Sequence, residues 1–158
     1  MKSAIKKGFG FGITSGIITT LGLIIGLYAT TSSAMIIIGG IIIIAIADSF
    51  SDALGMHISE ETNKRNSRRE ICEATFSTFI FKFIFAGSFI ISFLIFELGK
   101  AVVVNIIWGL VLLCIFSYYI AHSRHQSKVK SIAEHLGIAV AVIIATHYVG
   151  QLVNLIFR

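Results

Sequence analysis

The sequence predicts an all-α integral membrane protein of five transmembrane helices, and three observations predict it. Only 13% of the 158 residues are charged, where a soluble domain carries about 25%. Mean hydropathy is +0.90, and apolar runs such as 35–47, MIIIGGIIIIAIA, leave no polar face. Short polar or charged stretches then divide the chain into five apolar segments, each near the ~20 residues that a membrane helix needs. Barrel strands would be shorter and would alternate.

The first segment runs from about residue 9 to 29 and ends at TTSS. The second, about 34–58, stops at Glu60 and Glu61, and the charged stretch EETNKRNSRRE follows. The third is about 71–96, with Lys82 a third of the way in, and 97–100 forms a tight turn. The fourth is about 101–121; after HSRHQSKVK the fifth spans about 131–155. The spans and their connectors make one five-helix membrane domain, residues 1–158. The amino terminus MKSAIKKGFGFG is basic and then apolar, but no A-x-A-like cleavage site follows it, which predicts a retained span. There is no proline, so a kink must come from glycine, serine or threonine.

Charge sets the expected orientation. All 13 lysines and arginines except Lys100 and Arg158 fall on one side, if Lys82 is counted there. The positive-inside rule then places the amino terminus in the cytoplasm and the carboxy terminus outside. The same distribution accounts for the pI of about 9.4 without nucleic acid, because the basic residues lie between apolar segments. Tyr118 and Tyr119 near a span end fit an aromatic belt. Cys72 and Cys114 form no CxxC pair and read as buried packing residues.

Glycine recurs every four residues in the first span, at Gly8, Gly12 and Gly16, then at Gly22 and Gly26; Gly137, Ala141 and Ala145 repeat the spacing in the fifth. Small residues four apart let helix backbones approach, so these helices are the expected packing seams.

Candidate functional residues are the charges inside the spans, because a centred charge costs on the order of 2.5 to 3.5 kcal/mol and normally faces protein or water. Asp48 and Asp52 are four apart and share a helical face. By helical rise Asp52 lies about 9 Å and Asp48 about 15 Å from the cytoplasmic end. Ser51, Gly55 and Ser59 lie close to that face and Met56 at its edge, a stripe suited to a cation path. Hard oxygen ligands suit manganese and ferrous iron, and a thioether adds preference for iron. Two close carboxylates also share protons, so metal binding would release one, the core of an antiporter. The competing reading is a pair of packing acids satisfied by Ser, Thr or Lys.

His147 in the last span is a candidate proton carrier or an interhelical hydrogen-bonding residue. His57 lies opposite Asp48, at the membrane surface. Glu60, Glu61, Glu134 and His135, with Glu70, Glu73, His122 and His125, gather toward the cytoplasm as a possible metal-collecting mouth or as ordinary solvated charge. No catalytic triad, phosphate loop or zinc-helix motif is present. DSFSD resembles the spaced aspartates of lipid phosphotransferases but lacks their further acidic and basic partners, so the chain is not read as an enzyme.

The stretches GITSGIITTLGLIIGL, 12–27, and SDALGMHISEE, 51–61, resemble the vacuolar iron transporter family, as do the five-span layout and the closing HYVGQLV. The family typically reads GLSDGLTVPFALVAGL and SMGLGEYLAVKSE at the two stretches. This resemblance implies proton-coupled export of ferrous iron or manganese by a homodimer, with no cofactor beyond the transported ion; the expected location is the cell membrane. The chain departs from the family pattern: the family's first-span aspartate falls at Ser15, its second-span methionine at Asp52 and its proline at Thr20. A dozen residues replace the glutamate-rich cytosolic domain. Ser15 and Asp52 lie at similar depth, so one carboxylate still faces the same point, and Asp48, Asp52, Met56 and Ser15 form the expected metal set. The alternative from another class is a non-transporting scaffold or regulator.

Overall fold

A computed structural model describes residues 3–157, and every element in it is helical: α1 (Ser3–Thr31), α2 (Ala34–Glu61), α3 (Arg68–Ser88), α4 (Ile90–Ile95), α5 (Leu98–Ser123) and α6 (Lys128–Phe157). Lys2 and Arg158, used in the charge argument, lie outside the described residues. α1, α2, α5 and α6 are each long and apolar enough to cross a membrane, and α3 with α4 forms the remaining span, Arg68–Ile95. The protein is therefore a multi-pass membrane protein with five membrane-spanning helices.

The helix ends follow local chemistry. Ser33 begins α2 by accepting a hydrogen bond from the Ile36 amide. Ser67 and Glu70 begin α3 with a reciprocal capping box, so the charged connector ends in a defined helix start. The tight turn expected at 97–100 is shorter: only Phe96 and Glu97 lie outside helix there, and α5 begins at Leu98. The third span is one segment in sequence but breaks at Phe89. Gly87 and Ser88 precede the break, the Ser88 hydroxyl donates to the Phe85 carbonyl at 2.7 Å, and the Phe89 amide turns to Ala86. A hydroxyl competing for a helix carbonyl beside glycine supplies the break that proline would otherwise make.

α1 is the central helix and packs on α2, α3, α5 and α6. Its buried face carries Ile13, Ile17, Leu21 and Ile24, joined by Ile37 and Ile41 of α2 and by Phe89, Val102 and Leu113. Large side chains such as Ile43, Phe50, Leu54, Phe76 and Leu94 point outward, which in a membrane is the lipid-facing side.

The glycine stripe of α1 is a seam, and its partner is α3 of the same chain. Gly8, Gly12 and Gly16 are buried against the α3 backbone; a Cβ on Gly12 would lie 2.6 Å from the Thr78 carbonyl oxygen. The stripe is thus filled internally and is not free for a close symmetric contact between two copies. Gly22 and Gly26 instead meet Val142 and Thr146 of α6. The expected stripe of Gly137, Ala141 and Ala145 is exposed, because α6 turns its Ala139, Val142, Thr146 and Gly150 face inward. The cysteines also differ from expectation: Cys72 is exposed and Cys114 half-buried.

Candidate functional site

Three helices bring one polar cluster together inside the bundle. Ser15 comes from α1, Asp48 and Asp52 from α2, and Lys82 from α3. The Lys82 ammonium contacts Asp48 Oδ2 at 2.5 Å and donates to Ser15 Oγ at 3.0 Å and to Asp52 Oδ2. Ser15 Oγ in turn donates to Asp52 Oδ2 at 2.6 Å. Lys82 thus hydrogen-bonds Ser15 and Asp52 and pairs by charge with Asp48, whose Oδ2 has no hydrogen-bond partner among the described residues. Its side chain is 1% exposed, against 27% for Asp48 and 19% for Asp52, so the cation sits inside and the carboxylates form the outer wall.

Glycine makes the close approach possible. Gly16, beside Ser15, faces the Lys82 backbone and the first part of its side chain, where a Cβ would lie 3.1 Å from the Lys82 carbonyl and 3.3 Å from its Cγ. The small residue lets the lysine stem run along α1 and deliver its charge to α2. With all three groups ionised the cluster keeps one negative charge in excess.

Of the residues expected to hold metal, Ser15, Asp48 and Asp52 meet; Met56 does not join them. It lines a separate cavity with Ser59 and Glu60 at the amino-terminal end of the bundle. Between the two carboxylates stands Lys82, which the sequence places a third of the way into its span and which charge counting adds to the cytoplasmic side. It is instead the counter-ion of the acids. Among the described residues no three His, Cys, Asp or Glu side chains gather as a metal-holding group.

Of the expected acidic mouth, Glu60 and His135 line one cavity at the amino-terminal end of the bundle, and Glu61 and Glu134 do not line it. Glu60 is nearly buried and held by Lys7 at 2.9 and 3.1 Å and by Asn66 at 2.8 Å. Glu134 faces Lys130 at 3.9 Å on its own helix, and Glu61 is exposed. His135 Nδ1 lies 2.7 Å from Ser117 Oγ. His57, expected at the membrane surface, is half-buried between α2 and α3, with Nδ1 3.1 Å from Thr75 Oγ1. His147 pairs at 3.1 Å with Gln151, one turn along the same helix, and not with a neighbouring helix.

The signal that could have found Lys82 is in the sequence: a lysine inside an apolar span needs a carboxylate or a hydroxyl within reach. No model of a protein family, no curated protein and no solved structure matches this chain.

Proposed function

We propose that this chain is a cation transporter that moves a divalent metal ion, ferrous iron or manganese, out of the cytoplasm in exchange for protons. The exchange site in this reading is Asp48, Asp52 and Ser15, with Lys82 as the cation that holds the carboxylates between turnovers. One observation carries it: two intramembrane carboxylates, a hydroxyl and an ammonium converge from three helices, at a cost that apolar packing would avoid. An oxygen-lined pair of carboxylates suits a hard divalent ion. A divalent ion there balances the two negative charges of the carboxylates, and protons bound by the same oxygens on the return step complete the exchange.

The resemblance of α1 and α2 to the vacuolar iron transporter family supports the same class and a homodimer, and the distribution of lysine and arginine supports a cytoplasmic amino terminus. A dimer would form through a face other than the Gly8, Gly12 and Gly16 stripe, which α3 fills.

A scaffold or regulatory protein is the second reading, favoured by the ion pairs that Lys82 makes with both acids. Proteoliposomes carrying an imposed proton gradient separate the two. Gradient-dependent manganese or ferrous iron flux that disappears in Asp52→Asn supports the transporter. Absence of flux for both metals in the folded unsubstituted protein favours the scaffold.

A further inference from the structure

We propose that the cavity at the amino-terminal end of the bundle binds a phosphate-bearing anion between Lys6 and Arg124. The cavity, about 540 Å³, lies among the first turns of α1 and the ends of α2 and α5, with His135 of α6 at its side. Three cationic side chains and one carboxylate line it: Lys6, Lys7, Arg124 and Glu60. Lys7 lies against both oxygens of Glu60, and Asn66 supplies a further donor, so that acid is neutralised within the protein. No hydrogen bond or ion pair engages the side chain of Lys6 or Arg124 among the described residues. Both are exposed and both face the same space.

The excess charge therefore has the sign that attracts an anion. Arginine and lysine together suit phosphate, the first through its planar fork and the second as a point charge. Depth gives the cavity a second property. From Lys6 to Thr14 it follows α1 inward for about 12 Å by helical rise. Its charged residues sit at helix ends, while Phe9, Phe11 and Ile120 line it farther in. A charged rim above an apolar inner wall fits a phospholipid, with the headgroup at Lys6 and Arg124 and a chain alongside the aromatic residues. Free phosphate would satisfy the rim alone.

The test is a calorimetric titration of the purified full chain in neutral detergent with three probes: a short-chain phosphatidylglycerol, the matching phosphatidylcholine, and inorganic phosphate. Phosphatidylglycerol should bind, and Lys6→Gln with Arg124→Gln should weaken it at least tenfold. The loop pair Lys64→Gln with Arg65→Gln removes the same charge outside the cavity and should leave binding unchanged. Lys6→Arg with Arg124→Lys should retain it, and unchanged helical circular dichroism would confirm folding of each variant. Inorganic phosphate binding with the same variant dependence would support the site and make soluble phosphate a ligand; phosphatidylglycerol alone would make the lipid headgroup the ligand. Absence of binding by both anions, equal binding of phosphatidylcholine, or equal loss in the loop pair would overturn the proposal.

Discussion

Lys82 changes the chemistry of the two aspartates that surround it. A bare pair of carboxylates would repel and hold a proton between them; the pair in this protein holds an ammonium at 2.5 Å from Asp48. Removing one partner of a buried ion pair costs about 3–5 kcal/mol, because the other charge stays behind. Lys82→Met should therefore lower stability by about 3 kcal/mol. Adding Asp48→Asn and Asp52→Asn should recover most of that loss, which denaturant titration in detergent micelles would measure. Equal stability of Lys82→Met and the unsubstituted protein would contradict the ion-pair account. At this scale the sequence was legible in part. The four-residue spacing put Asp48 and Asp52 on one face, and matched depth put Ser15 opposite Asp52. Charge counting could not place Lys82, because it sorts lysines by the side of the membrane and not by the helix face they occupy. Only the packing of α3 on α1 turns it inward.

Among the helices, glycine decides which backbones meet. Gly12 lies where a Cβ would come within 2.6 Å of the Thr78 carbonyl, while Gly55 has nothing within 4 Å. Gly12→Ala should cost about 1–3 kcal/mol by forcing α1 and α3 apart. Gly55→Ala should instead stabilise by up to about 1 kcal/mol through helix propensity. Thermal unfolding of the two variants measures the contrast, and equal shifts would refute the seam. Ser67→Ala, which removes the α3 capping box, should cost about 1 kcal/mol in the same assay. The spacing of Gly8, Gly12 and Gly16 revealed a seam but not its partner, since i, i+4 periodicity describes one helix alone. The Gly137, Ala141 and Ala145 stripe has that spacing and remains exposed, so small residues permit close packing without requiring it. The break at Phe89 was legible only as a rule that glycine or serine must supply it.

The molecule as a whole is a five-span bundle around α1 whose charged connectors lie at helix ends. Hydropathy made the spans readable because lipid demands long apolar helices; which helices touch depends on side-chain fit that no single segment encodes. If the basic end faces the cytoplasm, a cysteine at Ser127 should react with a membrane-impermeant maleimide only after lysis. A cysteine at Glu97 should react in intact cells, both in a background lacking Cys72 and Cys114; the reverse pattern would invert the topology. The central claim is metal–proton exchange at the Asp48–Asp52 pair. Its most direct measurement reads manganese entry and lumenal pH together in proteoliposomes, for the unsubstituted protein and Asp52→Asn. The account predicts manganese flux with proton movement in the opposite direction, both lost in the variant. Manganese flux without proton movement, or both signals undiminished in folded Asp52→Asn, would contradict it.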